Sequence, residues 1–271
     1  MTGIAERIAF ARSVLFVPGD RPDRFGKAVA SGADLVVVDL EDAVGIEDKL
    51  AARAAVDQFL GTGVPVAVRI NGSATEWFDG DVETVSRRQC AVMVPKAHSV
   101  SELEGIADRL SPGTPLIALI ETAAGVHAAP AICAVEAVAR AAFGSVDLGA
   151  EVGVDPALHE PLLYARSALV LASAAAGRPA PLDGVTTDLS SAGPLSADVD
   201  HAVRLGFGGK LCIHPGQIAV VNERFSPSPA ELEWAHRVTA EASGGKVCVV
   251  DGKMVDKPVL DRAARILARA R

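Results

Sequence analysis

The chain has 271 residues, 26 of them basic and 34 acidic, for a formal charge of −8 and a pI near 5.3. Apolar residues make up 49% of it, which excludes a disordered chain and supplies a sizeable core. The acidic balance argues against a nucleic-acid-binding surface, which needs clustered Lys and Arg. Cys90, Cys133, Cys212 and Cys248 are widely spaced with no C-x-x-C pair, so they read as reduced thiols rather than zinc ligands or disulfide staples. Met1 to Arg12 lacks the apolar stretch of a secretory signal, and the most apolar run, 168–176, is too short to span a bilayer. The expectation is a soluble, cytoplasmic protein with no membrane or nucleic-acid partner.

Short β-rich runs recur along the chain at Val14–Val17, Leu35–Leu40, Val64–Ile70, Ala91–Val94, Leu116–Ile120, Ala139–Phe143, Leu182–Val185 and Lys210–Ile213. Several are apolar without interruption, as strands of a parallel sheet covered by helices on its outer face must be. Ala-rich amphipathic stretches lie between them, among them Asp48–Leu60, Ser99–Leu110, Leu162–Gly177 and Ser196–Leu205. Ser99 with Glu102 three residues later has the form of a capping box, and Leu103, Ile106, Ala107 and Leu110 then share one helical face. Eight strand–helix units in a chain of this length predict a (β/α)₈ TIM barrel over residues 1–225 rather than an open doubly wound sheet. The Pro18-Gly19-Asp20-Arg21-Pro22 turn is not a dinucleotide-binding fingerprint, and the 206–210 glycines lack phosphate-loop spacing. Residues 226–271 form a C-terminal helical extension, with helices over Glu231–Ala242 and Val259–Arg269, a break at Gly244-Gly245 and a strand near Val247–Val250. A closed barrel does not need this tail, so its apolar positions are expected to pack on the barrel rim or on a neighbouring subunit.

Nearly every run ends in charged or turn-forming residues: Asp39-Leu40-Glu41-Asp42, Arg69-Ile70-Asn71, Pro95-Lys96, Glu121-Thr122, Gly144-Ser145-Val146-Asp147, Asp183 and His214-Pro215. In a barrel these ends share one face, where active sites are built. Glu41, Asp42, Glu121 and Asp147 then converge without a matching number of cations. Such a cluster either keeps one carboxyl protonated or takes up a divalent ion, and hard oxygen ligands suit Mg²⁺ better than zinc. His214, in Ile-His-Pro, reads as a hydrogen-bonded loop residue. Arg69 faces the cation position, where a guanidinium would hold a developing oxyanion. Lys96 offers Schiff-base chemistry as a rival, but among four carboxylates it is expected to stay protonated and to pair with an acid.

Seven ordered blocks, beginning at Ser13, Asp39, Arg69, Ile120, Phe143, Cys212 and Met254, resemble the citrate lyase β-subunit-like proteins of the HpcH/HpaI aldolase superfamily, relatives of malyl-CoA and citramalyl-CoA lyases. The resemblance spans about Ser13 to Leu267. It implies a barrel, trimeric or hexameric as a homo-oligomer, that uses Mg²⁺ to make or break a carbon–carbon bond beside a CoA thioester. Glu121 and Asp147 match the metal ligands, and Arg69 the arginine beside the thioester carbonyl. Glu41 and Asp42 match residues that hold metal-bound waters or orient that arginine. Phe16, Arg21 and Lys27, with Ile213 and His214, match positions that border the acyl-CoA. Asp256 resembles a carboxylate delivered into a neighbouring subunit's site. The implied reaction is retro-Claisen cleavage of a 3-hydroxyacyl-CoA to acetyl-CoA and an oxo acid. The alternatives are a CoA-independent hydroxy-acid aldolase, or a β subunit of a citrate lyase complex acting on a carrier-protein thioester.

Overall fold

The computed structural model describes residues 3–241, 248–250 and 253–270. The chain consists of two compact units, residues 1–222 and 223–271.

The first unit opens with α1 (Ile4–Phe10), β1 (Ser13–Pro18), α2 (Pro22–Val29) and β2 (Leu35–Asp39). It continues through α3 (Lys49–Leu60), β3 (Ala67–Arg69), α4 (Phe78–Ser86), β4 (Ala91–Val94), α5 (Val100–Arg109) and β5 (Leu116–Ile120). Next come α6 (Ala123–Ala134), β6 (Val138–Phe143), α7 (Ser145–Val152), α8 (Leu163–Ala175), β7 (Leu182–Asp183), α9 (Ala192–Leu205) and β8 (Gly209–Cys212), and α10 (Ile218–Phe225) contains the boundary between the units. The eight strands pair in parallel, in sequence order, and β8 closes on β1. This is the expected (β/α)₈ barrel. β2, β4 and β5 are buried at every position because one face fills the barrel and the other meets helices. Val14, Leu35, Val37, Ala67, Ala91, Met93, Ile117, Leu119, Ala142, Leu182 and Leu211 form the inner cluster, with Ile8 and Ala11 closing its foot. The Val64–Ile70 run contributes only Ala67–Arg69, and the seventh strand shrinks to Leu182 and Asp183. Ser99 caps α5 by accepting from the Glu102 amide, as expected. The connection after β6 holds α8, as the Leu162–Gly177 stretch predicts, and before it a further helix, α7, that the sequence reading leaves out.

The second unit contains α11 (Pro229–Glu241), an antiparallel hairpin of β9 (Cys248–Val250) with β10 (Lys253–Val255), and α12 (Lys257–Ala268). Ala235, Val238, Val255, Ala263 and Ile266 make its own small core. The hairpin's second strand has no counterpart in the sequence reading, and Gly244-Gly245 and Val247 lie outside the described residues.

Candidate active site at the carboxyl ends of the barrel strands

Strand alternation decides which side chains enter the barrel mouth. Val37 lies in the inner cluster, so Asp39 two residues on also points inward; the same parity carries Ala67 to Arg69 and Leu119 to Glu121. The register then sets Asp39 of β2 directly beside Arg69 of β3. Arg69 Nε and Nη2 donate to the two Asp39 oxygens at 2.7 and 2.6 Å, a bidentate pair. Its Nη1 lies 3.0 Å from Glu41 Oε2, and the guanidinium covers the Phe16 ring at 4.9 Å. Burial works against the Arg69 charge, but the hydrogen bonds and charge of Asp39 outweigh it and raise its pKa.

The sequence reading places Asp39 at the strand end without a role and gives Glu41 and Asp42 metal-bound waters or the orienting of Arg69. The structure adds Asp39 as the bidentate partner of Arg69 and keeps Glu41 against it, but leaves Asp42 apart. Asp42 is 57% exposed and 3.9 Å from Arg69, whereas Asp39 is buried and takes the Nε–Nη2 edge of the guanidinium. The signal available was the position of Asp39 inside its strand, in phase with the inward residues, but its partner depends on register. A second correction concerns charge balance, because Glu41 is well matched. Lys96 Nζ donates to its Oε1 at 2.6 Å, and Arg69 flanks its other oxygen. Burial still raises the Glu41 pKa against these two cations. Burial alone would lower the Lys96 ammonium, but the bond to Glu41 raises it, so Lys96 is the ion-paired cation expected rather than an imine-forming amine.

The unmatched charge is on Glu121 and Asp147. Glu121 is 1% exposed and accepts the Lys96 amide on Oε1 at 2.8 Å. Lys96 has a positive φ of 50°, the geometry that turns this amide towards the carboxylate. Burial, followed by the charges of Glu41 and of Asp147 in the first turn of α7, pushes Glu121 up to about 8. Gly144 ends β6 because a Cβ there would lie 2.3 Å from Glu121 Cβ and 2.6 Å from its Oε2. Among the described residues no three His, Cys, Asp or Glu side chains form a metal cage. What the mouth offers is two hard carboxyl groups, one of which keeps its proton near neutral pH until a cation displaces it, with no His or Cys completing a metal cluster among the described residues. That donor set fits Mg²⁺, which takes one or two carboxylates and keeps waters.

The remaining predicted residues are more dispersed. Arg21 precedes α2 and is paired with Asp23 at 3.0 Å, and Lys27 is exposed on the same helix. Ile213 is 40% exposed after β8, and His214 Nδ1 accepts the Gly216 amide, a loop-capping bond. Asp183, placed at the mouth by sequence order, is instead a helix-side anchor. Leu182 points inward, so Asp183 points outward, where Arg166 and Lys210 meet it at 2.9 and 3.1 Å. Asp256, in the second unit, caps α12 by accepting the Val259 amide. Cys90, Cys133 and Cys212 are buried free thiols, and burial pushes Cys90 and Cys212 up to about 12, so neither serves as a nucleophile at neutral pH.

The chain is similar to known proteins along most of its length. The chain is 36% identical to a (3S)-malyl-CoA thioesterase of Cereibacter sphaeroides, covering 96% of this chain and 94% of that protein. It is 38% identical to a citrate lyase subunit beta-like protein of Mycobacterium tuberculosis, covering 94% of each. Among solved structures it is similar to protein CitE of Mycobacterium tuberculosis in complex with magnesium, acetoacetate and coenzyme A, with a TM-score of 0.82 and 36% identity over 97% of this chain and 99% of that one. The family model of the HpcH/HpaI aldolase/citrate lyase proteins matches residues 12–215, from the foot of β1 to the loop beyond β8. With every strand of the barrel and the whole carboxylate–guanidinium mouth inside that match, this chain belongs to the HpcH/HpaI aldolase/citrate lyase family.

Proposed function

We propose that the protein is a Mg²⁺-dependent carbon–carbon lyase that cleaves a 3-hydroxyacyl-CoA of the malyl, citramalyl, citryl or hydroxymethylglutaryl type into acetyl-CoA and an oxo acid. The observation that carries this reading is the pair of under-compensated acids, Glu121 and Asp147, set across the mouth from a guanidinium held rigid by Asp39. Glu121 and Asp147 would hold the ion. Bound there, Mg²⁺ supplies Lewis acidity towards the carboxylate and hydroxyl oxygens of the acid portion.

The chain's own residues do the rest. Arg69 holds the thioester oxygen as the C2–C3 bond breaks and its electron pair passes into the thioester enolate. Its pose is set before substrate arrives, because Asp39 and Glu41 occupy the edges that face away from the ligand. The substrate hydroxyl passes its proton to solvent water as the oxo group forms. Asp256 of a neighbouring copy gives a proton to the acetyl methylene carbon, which makes a homo-oligomer, a trimer or hexamer, the working form. Arg21 and Lys27 bind CoA phosphates, and Phe16, Ile213 and His214 border the thioester arm.

A second reading is supported by the 36% identity to a (3S)-malyl-CoA thioesterase. In hydrolysis, water attacks the thioester carbonyl, Arg69 holds the tetrahedral oxyanion, and the C–S bond breaks to release CoA as a thiol. Incubating the protein with the four CoA thioesters, with and without Mg²⁺, separates these readings. Acetyl-CoA and an oxo acid without free thiol are expected for the lyase. Free thiol without acetyl-CoA establishes the thioesterase, and no reaction with any thioester overturns both.

A further inference from the structure

The mouth includes a buried cation that the proposed chemistry does not use. Lys49 opens α3 with its side chain outside the barrel and only 7% exposed. Its ammonium donates three hydrogen bonds, each of 2.7 Å, to the Leu40 carbonyl, the Glu41 carbonyl and Asn71 Oδ1. An ammonium has three donors, so all are used. The first two acceptors are the backbone that immediately follows β2, and the third lies two residues beyond Arg69. One turn along α3, Arg53 donates to Asp81 at 2.7 Å, and Asp81 Oδ2 accepts from both the amide and the side chain of Asn71. Arg53 also donates to the Trp77 carbonyl, and the Lys49 ammonium lies 5.4 Å from the centre of the Trp77 ring. The start of α3 therefore grips the ends of two adjacent strands, the pair that carries Asp39, Glu41 and Arg69.

We infer that Lys49 is a positioning residue: its ammonium sets the pose of Glu41 and Arg69 by fixing the backbone behind them, without touching substrate. A buried ammonium is unfavourable in an apolar wall, and apolar packing would hold α3 on the barrel equally well. What only the ammonium supplies is three directed bonds that define where the two strand ends stop relative to each other. The Asp39–Arg69 bond aligns the side chains, and Lys49 aligns the main chains that present them.

The inference rests on the lyase reading of the mouth, so its test combines kinetics with a structure. In the full-length protein, Lys49→Met is expected to keep its fold by circular dichroism and to lose kcat by about 100-fold, while KM for the thioester changes less than about threefold. Its crystal structure is expected to show Glu41 and Arg69 shifted from Lys96 and Asp39. The control is Arg140→Met, which removes a buried cation at the opposite end of the barrel. It is expected to lower Tm at least as far while kcat stays within about twofold, a separation that a merely structural Lys49 would not give. Unchanged kcat in Lys49→Met, or Glu41 and Arg69 found unmoved, overturns the inference. If the wild-type chain cleaves no thioester, the lyase reading fails by itself, and the crystal structure alone decides for or against Lys49. Should Lys49→Met not fold, Asn71→Ala removes one acceptor and is read in the same way, with a kcat loss of about tenfold expected and none overturning.

Discussion

The two ends of the barrel handle buried charge in opposite ways. At the foot, Arg140 is 1% exposed and, among the described residues, has no acid within hydrogen-bond reach; it donates to the carbonyls of Ile8, Ala11 and Ala180, each at 2.7 Å. Burial, only partly offset by the charge of Asp34, brings its pKa down to about 9. At the mouth, Glu121 is equally enclosed, but it sits among other acids and rises to about 8. The foot spends its cation on backbone groups that would otherwise lack partners, which is a stability function. The mouth leaves a carboxylate pair under-compensated, which is unfavourable for the empty fold and useful only when a cation arrives. Self-consistency at one end and a retained conflict at the other is the pattern expected of a functional site carried on a stable scaffold.

That contrast makes variants at the mouth activity variants and variants at the foot stability variants. The largest effect is expected for Glu121→Gln or Asp147→Asn, each lowering Mg²⁺-dependent turnover by about 10³-fold or more. Circular dichroism and Tm should show the fold kept, and Mg²⁺ titration followed by calorimetry should show binding lost. A variant that unfolds, or one that still binds the ion as before, breaks the comparison at its strongest point.

Gly144→Ala is the next most informative. Its Cβ would be placed 2.3 Å from that of Glu121, so either β6 or Glu121 must move. A destabilisation of about 1–3 kcal/mol by urea titration, with an activity loss larger than stability explains, is the expected outcome. Wild-type Mg²⁺ affinity in this variant would show that Glu121 has room to spare.

The smallest effect belongs to the foot and to pH. Burial would raise the Asp34 carboxyl, but hydrogen bonds from Arg12, 2.8 Å for the closest, hold it below its ordinary value. A carboxyl lowered in the folded state adds stability that is complete above its unfolded value, near about 4, and disappears as pH falls through the folded value. Arg12→Met should therefore flatten the acid limb of the stability–pH curve below about pH 4, while leaving the pH dependence of turnover unchanged. A shifted rate profile would mean that foot and mouth are coupled.

Much of the fold was legible because parallel-barrel strands are buried on both faces and leave continuous apolar runs; Ala91–Val94 and Leu116–Ile120 match to the residue. The runs failed where burial is shared with other elements: β3 and β7 are short, and Val64 to Val66 read as strand only by composition. At the site, strand-end position was enough to single out Arg69, Glu41, Glu121 and Asp147. It was not enough for Asp39, which it placed on the rim without a partner, nor for Lys49, which lies in a helix away from any strand end. Both are defined by partners 30 and 22 residues away. Asp183 misled because end position says nothing about which side of the barrel a side chain faces.

The linear order of residues by itself determined the eightfold alternation, the polar rim and the identity of the acids and the guanidinium on it, because hydrophobic periodicity and residue chemistry are local properties. Only the closed tertiary structure decided who faces whom. Strand register put Asp39 against Arg69, pleat parity sent Asp183 away from the mouth, and burial with the nearby charges of Glu41 and Asp147 raised the pKa of Glu121. These are pairwise distances between remote segments, and electrostatic energy depends on such distances and on burial rather than on order along the chain.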